Sequence, residues 1–210
     1  MRKYITEFLG TLFLVLVVLI AIDYQVGLVV PTLIAGVLMV LIYIGAPYSK
    51  AHYNPAVSLA FFLRKDISSQ QLLGYWASEL LGTISAMGIY RIIGPKAQTK
   101  EWYDVQSLSI QVGFAELVAT CCLVAVILAV ATLKQTAGNR YYGVAIAGMV
   151  WLMIVLLGPI SSAIMNPSVL IGLTMNNFEL KTFSFYLGME FLAAIGVALA
   201  FNAGFGSANE

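Results

Sequence analysis

A trio of polar residues occurs in the same order in both halves of this strongly apolar chain. The trio consists of a glutamate, an Asn-Pro pair and a second glutamate. Its members are Glu7, Asn54-Pro55 and Glu79 in the first half, and Glu116, Asn166-Pro167 and Glu190 in the second. The displacements of 109, 112 and 111 residues indicate a duplicated unit. The fold must therefore accommodate two copies of one arrangement.

The composition predicts that this duplicated unit lies in a membrane. The chain has 210 residues, of which 60% are hydrophobic and only 10% charged, whereas soluble domains carry about 25% charged residues. The first apolar segment is predicted to be a span rather than a signal peptide, because Glu7 interrupts it and no small-residue cleavage site follows. Six segments reach the roughly 20 apolar residues that a span requires: 5–24, 28–46, 71–92, 110–133, 141–160 and 183–204.

Two shorter apolar segments, 54–63 and 166–174, begin at the Asn-Pro pairs and cannot cross a bilayer. Asn is a favoured N-cap and Pro a favoured first helical residue, so each segment is predicted to be a re-entrant half-helix buried in protein. Each unit has three spans, an odd number, so the second copy is inverted. The two half-helices therefore enter from opposite faces and meet end to end near the membrane midplane.

Two facing helix starts predict a site that favours electronegative atoms. A helix N-terminus carries about half a positive charge and several unpaired amide groups. Asn54 and Asn166 would cap the two helices at this point and could donate hydrogen bonds to the oxygen of water or an alcohol. Hydronium and metal cations would meet a positive potential there.

The placement of basic residues favours an orientation with both termini in the cytoplasm. That orientation puts seven basic residues on the inner face and four on the outer face. The inner set is Arg2, Lys3, Lys50, Arg64, Lys65, Lys134 and Arg140, and the outer set is Arg91, Lys96, Lys100 and Lys181.

Five segments resemble the aquaporin, or major intrinsic protein, family. They are "SKAHYNPAVSLA" (49–60), "GPISSAIMNPSVLIG" (158–172), "EFLGT" (7–11), "QLLGYWASELLG" (71–82) and "FAELVAT" (114–120). The resemblance implies an all-α integral membrane fold, a right-handed bundle of six transmembrane helices plus two half-helices. It also implies a homotetramer in the plasma membrane, with one pore in each subunit. We expect residues 1–210 to form one channel domain, with halves 1–93 and 108–205 joined by the linker 94–107.

The resemblance also implies which residues form the pore. The two Asn-Pro loops correspond to Asn54, Pro55 and Ala56 and to Asn166, Pro167 and Ser168. Val169 stands where most members of the family have an arginine, and ungapped spacing predicts a wholly apolar outer constriction of Ile34, Ile154, Ala163 and Val169. Such a ring could be wide enough for glycerol-like solutes, or narrow enough to close by dewetting.

The four repeated glutamates have two possible roles. In the first, Glu7, Glu79, Glu116 and Glu190 accept hydrogen bonds from the backbone amides of the re-entrant loops. In the second, they relay protons and the protein is a proton-coupled secondary transporter. A closed, structural member of the fold is a third possibility. His52, the single histidine, either supports the first loop or acts as a pH-sensitive gate.

Other functional classes find little support in the sequence. A net charge of +1 without basic clusters argues against nucleic acid as a partner. His52 has no companion ligands at metal-binding spacing, and no arrangement of residues supports catalysis or a cofactor. We therefore predict a passive channel, not an enzyme, for water and small uncharged solutes.

Overall fold

The computed structural model describes residues 1–24, 27–94, 108–176 and 178–205, and every regular element within these ranges is helical. In these ranges, eight α-helices and one 3₁₀ turn, Lys134–Thr136, follow one another. The helices are α1 (Arg2–Tyr24), α2 (Val29–Ser49), α3 (Pro55–Leu63), α4 (Ser69–Ile93), α5 (Ile110–Thr132), α6 (Tyr142–Ser161), α7 (Pro167–Leu173) and α8 (Leu180–Phe205).

Six of these helices are long and two are short, which confirms the predicted membrane bundle. Within the described ranges, α1, α2, α5, α6 and α8 are long and apolar enough to cross a membrane. The 25 residues of α4 would extend about 37 Å, also enough to cross. Its composition is more polar, because Gln70, Gln71, Glu79 and Thr83 interrupt the apolar pattern.

The predicted helix ends lie within three residues of those observed. The predicted second span ends at residue 46, just before Pro47, whereas α2 continues to Ser49. Pro159 lies at the equivalent place within α6. A proline in the last turn removes one hydrogen bond without stopping the helix. Apart from Gly94, the predicted linker 94–107 lies outside the described residues, and the division into halves remains a prediction.

The two halves share the same internal packing and then exchange their short helices. In the first half α1 packs against α2 and α4, and in the second half α5 packs against α6 and α8. The short helix α3 contacts α8 and α5 of the other half, and α7 contacts α4 and α1. The halves therefore form one joint core.

Glycines allow the closest of these approaches. A Cβ atom on Gly82 of α4 would lie 2.5 Å from the backbone oxygen of Phe8 on α1. A Cβ atom on Gly172 of α7 would lie 2.8 Å from Val15 on the same helix α1. Helix α1 is thus in tight contact with one helix from each half.

Arg64 fixes the end of α3 that lies farthest from Asn54. Its side chain is 1% exposed and donates hydrogen bonds to the Asn202 side chain at 3.2 Å and the Thr132 side chain at 3.4 Å. A cation beside a helix C-terminus is favourable because that end carries a partial negative charge. Arg64 thereby ties α3 to the last turns of α5 and α8.

Candidate functional site

Asn54 and Asn166 begin the two short helices in the way that the sequence predicts. The Asn54 side-chain oxygen accepts hydrogen bonds from the amides of Ala56 at 2.9 Å and Val57 at 3.4 Å. The Asn166 oxygen accepts one from the amide of Ser168 at 2.9 Å. Both asparagines have extended backbones and precede a proline at the first helical position. Each is therefore an N-cap.

The same two side chains also bind across the centre of the molecule. The Asn54 Nδ2 donates to the backbone oxygen of Met165 at 2.8 Å, and the Asn166 Nδ2 donates to that of Tyr53 at 3.0 Å. These reciprocal bonds are those that a two-fold relation between the halves would produce. A primary amide carries two hydrogens, so each asparagine keeps one further N–H to donate. We call the region between the two asparagines the waist.

The loops that lead into the two helices have matching, strained backbones. Three residues other than glycine adopt a positive φ in each loop, at positions 112 residues apart. They are Lys50, Ala51 and Tyr53 in the first loop, and Ser162, Ala163 and Met165 in the second. Because left-handed conformations are unfavourable for such residues, the surrounding structure must hold both loops in place.

Glu7 and Glu116 contact these loops through hydrogen bonds, as in the first of the two roles that the sequence left open. The Glu7 carboxyl group accepts hydrogen bonds from the amides of His52 at 3.0 Å and Tyr53 at 2.7 Å. The Glu116 carboxyl group accepts one from Ile164 at 3.1 Å and another from Met165. In both cases the two carboxyl oxygens serve adjacent amides of a loop that has few other partners.

Glu79 and Glu190 make fewer contacts. The Oε1 atom of Glu79 accepts a hydrogen bond from the Ser58 side chain at 2.8 Å, and that of Glu190 accepts one from the Asn166 amide at 2.8 Å. The second oxygen of each carboxyl group is buried and has no hydrogen-bond partner within the described part of the chain. The first and the second glutamate of each trio therefore differ in how many of their carboxyl oxygens accept hydrogen bonds.

Two further pairs of residues support the loops, and the sequence analysis did not predict them. The Tyr75 hydroxyl donates to the backbone oxygen of Ser49 at 2.8 Å, and the Tyr186 hydroxyl donates to that of Ser161 at 3.0 Å. The signal was available, because each tyrosine precedes the second glutamate of its trio by four residues. Each serine likewise precedes its asparagine by five.

A cavity of about 700 Å³ lies at the waist. His52, Asn54 and Asn166 border it, and so do all four residues of the predicted constriction, Ile34, Ile154, Ala163 and Val169. Most of the remaining wall is apolar, with contributions from Leu14, Val18, Leu38, Ile42, Leu123, Ile127 and Val150. The cavity wall is thus mainly apolar, and the two asparagines of the waist are among its polar residues.

The other predicted pore residues lie behind the cavity wall. Pro55, Ala56, Pro167 and Ser168 form the first turns of α3 and α7 and, among the described residues, are not part of the wall. The four repeated glutamates, Glu7, Glu79, Glu116 and Glu190, do not border the cavity either. Within the described ranges no three His, Cys, Asp or Glu side chains form a group that could hold a metal ion.

Basic side chains border the cavity where the α5–α6 connection approaches the first loop. Lys50, Lys134 and Arg140 all contribute to this part of the wall. Lys50 lies 3.8 Å from Asp66, which in turn lies 4.0 Å from Arg64. Burial raises the pKa of Asp66, and the two neighbouring cations oppose that shift.

Together, the duplicated helical bundle, the crossed asparagine caps and the cavity beside them define a membrane protein of the channel-forming type. A family described as Major intrinsic protein matches residues 1–201. The chain belongs to this family, whose aquaporins are passive channels and not enzymes.

Several curated proteins are similar to the chain. Aquaporin NIP3-1 of Arabidopsis thaliana is 34% identical over 191 residues, which cover 81% of this chain and 57% of that protein. Aquaporin NIP1-1 of Oryza sativa subsp. japonica is 32% identical, and the match covers 78% of this chain and 58% of that protein. Nodulin-26 of Glycine max is 29% identical, with 96% and 77% covered. The chain thus spans less than two thirds of the first two relatives.

A solved structure shares the fold. The aquaglyceroporin from Plasmodium falciparum superposes with a TM-score of 0.71 and a sequence identity of 24%. The superposition covers 97% of this chain and 96% of the other. The likeness therefore extends over both halves of the bundle.

Proposed function

We propose that the chain forms a passive membrane channel for water and small uncharged solutes. The observation that carries the proposal is the cavity, which borders both asparagine caps at the waist and has a mainly apolar wall. Water or an alcohol entering it meets two side-chain amides and the starts of two helices. Several relatives are named aquaporins, and the structural neighbour is an aquaglyceroporin, which supports this class of permeant.

Exclusion of ions belongs to the same proposal. The positive ends of α3 and α7 meet at the waist, and a cation would lose its hydration shell against an apolar wall without a carboxylate to replace it. Glu7 and Glu116 are occupied by loop amides and stand behind the wall. This placement supports a structural role for the glutamates over proton relay in a secondary transporter.

The predicted constriction sets the solute range. Ile34, Ile154, Ala163 and Val169 present no side-chain donor, so a solute passing them gives up hydrogen bonds without replacement. We propose that glycerol-like solutes pass because the ring lacks the bulk of an arginine. A narrow, dewetted ring would instead admit little or nothing.

Assembly and orientation complete the proposal. Large apolar side chains such as Val40, Ile44, Leu81 and Leu156 are exposed on the outside of the bundle and need a cover of lipid or of further copies. We propose a homotetramer with one cavity per subunit, in a cell membrane with both termini in the cytoplasm. Mass measurement of the detergent-solubilised complex by light scattering tests the stoichiometry.

Stopped-flow light scattering on proteoliposomes tests the function. After a sucrose jump we expect faster shrinkage than in empty liposomes, and after a glycerol jump we expect shrinkage followed by rapid re-swelling. Re-swelling no faster than in empty liposomes, after accelerated shrinkage, would limit the channel to water. Shrinkage no faster than in empty liposomes would contradict the proposal, and uptake driven by a pH gradient would favour the transporter.

A pair of matched variants links the flux to the cavity. Ile34 borders the cavity, so Ile34→Trp should fill it and reduce both water and glycerol flux toward the level of empty liposomes. Ile84 lies on α4, is 53% exposed on the outside of the bundle, and Ile84→Trp should leave both fluxes unchanged. If the two substitutions reduced the fluxes equally, the flux would not depend on the cavity.

A further inference from the structure

Six polar residues of the cavity wall gather at one end, where α5 connects to α6. Lys50 comes from the end of α2, and the connection contributes Thr132, Lys134, Thr136, Asn139 and Arg140. The three basic residues in this set are exposed, so this end of the cavity reaches the surface of the molecule. We call this end, with Lys50, Lys134 and Arg140, the basic mouth.

A series of contacts shows that Lys50 and the α5–α6 connection lie side by side. The Nζ atom of Lys50 lies 3.8 Å from Asp66, and Asp66 lies 4.0 Å from Arg64. The Arg64 side chain donates a hydrogen bond to the Thr132 hydroxyl at 3.4 Å, and Thr132 lies two residues before Lys134. The fold therefore brings together basic residues that are far apart in the sequence.

Hydrogen bonds hold the connection that carries two of these cations. The Thr136 hydroxyl donates to the backbone oxygen of Ala129 on α5 at 2.5 Å. The Tyr43 hydroxyl on α2 donates to the backbone oxygen of Arg140 at 2.9 Å. The backbone of the connection is thus fixed to both α5 and α2, and the positions of Lys134 and Arg140 are set before a ligand arrives.

The charge of the cavity wall has one sign. Among the described residues that line the cavity, none is acidic. The neighbouring Asp66 lies outside the wall and is shared between Lys50 and Arg64, and an ion pair with a half-exposed lysine is weak. A cleft that is lined by charges of one sign and has apolar walls focuses the electric field and concentrates counter-ions. The basic mouth therefore attracts anions.

The helix ends explain two of the cations but not the third. Lys50 and Lys134 follow the C-termini of α2 and α5, where a cation is favourable. Arg140 instead precedes the N-terminus of α6, where a cation is unfavourable, and the N-cap residue Tyr141 makes no side-chain capping hydrogen bond. A bound anion would be stabilised both by Arg140 and by this helix end.

We propose that the basic mouth binds a phosphate monoester group and that the bound ligand closes the cavity to solutes. Such a group carries about two negative charges and three acceptor oxygens at neutral pH. Its oxygens can pair with the ammonium groups of Lys50 and Lys134 and with the planar guanidinium group of Arg140. A ligand that pairs with α2 and with the α5–α6 connection at the same time lies across the opening.

The ligand can come from two sources with the same chemistry, a soluble phosphate or the headgroup of a lipid. Binding is independent of the proposed channel function, whereas closure of the cavity rests on it.

The ³¹P NMR signal of inorganic phosphate measures binding to protein that is solubilised in a maltoside detergent. The signal should change saturably as protein is added at low ionic strength. Arg140→Gln keeps the backbone oxygen that binds Tyr43 and should weaken phosphate binding about tenfold, which corresponds to about 1.4 kcal/mol. Arg140→Lys keeps the charge and should retain part of the affinity. A signal that does not respond to wild-type protein would overturn the proposal.

Arg91 provides the matched control. It is exposed on α4 and is not among the residues that line the cavity, so Arg91→Gln removes the same charge elsewhere and should leave the phosphate affinity unchanged. Lys134→Gln should weaken binding as Arg140→Gln does, which provides a second test at the mouth. Equal losses in Arg91→Gln and Arg140→Gln would overturn the proposal, because binding would then depend on total charge alone.

Water flux in proteoliposomes tests the closure. Phosphate on both sides of the membrane should slow shrinkage after a sucrose jump toward the rate of empty liposomes, relative to chloride at the same ionic strength. In Arg140→Gln the ratio of the two rates should be close to that of a protein in which phosphate has no effect. Phosphate that binds without slowing shrinkage would overturn the closure of the cavity.

The composition of the vesicles identifies the source of the ligand. Phosphatidic acid presents a phosphate monoester, whereas phosphatidylglycerol presents a diester with a single charge. Slower shrinkage with phosphatidic acid, in the absence of free phosphate, would assign the ligand to a lipid headgroup. Inhibition by inorganic phosphate alone would assign it to a soluble phosphate. Equal slowing with both lipids would reflect the surface charge of the membrane and would overturn the proposal.

The proposed function and this inference fail in different ways. If wild-type protein conducts water in neither salt, the channel function fails, and the NMR titration still decides whether the basic mouth binds phosphate. If the protein conducts water but does not bind phosphate, the channel function stands and the role of the basic mouth is wrong.

Discussion

Glutamates that look alike in the sequence have different surroundings in the structure. Glu116 uses both carboxyl oxygens to accept hydrogen bonds from the second loop, and also accepts one from Ser161 at 3.0 Å. Glu190 uses one oxygen only, for the Asn166 amide, and its second oxygen has no partner within the described ranges. An amide side chain can replace the second arrangement but not the first.

This difference makes a prediction at the level of single residues. Glu116→Gln places an NH₂ group against a backbone N–H and loses at least one hydrogen bond of about 1.5–3 kcal/mol, so the thermal unfolding midpoint in detergent should fall by several degrees. Glu190→Gln can keep the bond to Asn166 and should change the midpoint little. Tryptophan fluorescence during heating measures both, and equal losses would contradict the assignment.

The sequence predicted the residues of the waist better than it predicted their partners. The asparagine caps followed from the repeated Asn-Pro pairs, whereas the sequence left two roles open for Glu7 and Glu116. Which carboxyl oxygens are occupied depends on the bend of the loops, and that bend arises from tertiary contacts. Tyr75 and Tyr186 could have been identified from the sequence, because each lies at the same spacing from the second glutamate of its trio.

Among the elements, α2 positions the first loop through a glycine. A Cβ atom on Gly45 would lie 1.7 Å from the hydroxyl oxygen of Tyr53, and that hydroxyl donates to the backbone oxygen of Leu41 at 3.1 Å. Tyr53 also supplies the carbonyl that binds Asn166. The surface of one helix thus determines where a residue of the waist lies.

We predict that Gly45→Ala displaces Tyr53 and disturbs the waist. Glycerol and water flux in proteoliposomes should both fall, and the unfolding midpoint should fall with them, because the added methyl group overlaps the buried Tyr53 side chain. Gly36 lies on the same helix, and a Cβ atom there would have no neighbour within 4 Å, so Gly36→Ala is the matched control. Because alanine is a better helix former than glycine, similar losses in both variants would contradict the role of the contact with Tyr53.

For the whole molecule, the exchange of α3 and α7 between the halves couples their stabilities. Helix α7 belongs to the second half but packs against α1 and α4 of the first. The hydropathy pattern identified both short helices, yet it could not show this exchange, because packing partners are not encoded in the apolar period of one segment. Glu79, one of the polar residues of α4, faces Ser58 of α3 within the same half.

We therefore predict that a substitution in one half loosens the other. Gly172→Val forces side-chain atoms of α7 against Val15 of α1, and hydrogen exchange should accelerate in peptides of α1 and α4 as well as in α7. Gly188 on α8 has open space around it, so Gly188→Val should leave exchange in the first half unchanged. Acceleration confined to α7 would show that the halves unfold separately.

The crossed bonds at the waist also bear on how the two copies of the ancestral unit could diverge. Each asparagine binds a backbone oxygen of the opposite copy, contributed by Tyr53 on one side and Met165 on the other. A backbone oxygen survives any substitution of its own side chain, so these two positions were free to become as different as a phenol and a thioether. The asparagines had no such freedom, because a change in either copy removes a bond that the other copy cannot restore. The crossed bonds thus constrain the side chains of the amide donors but not those of the carbonyl partners.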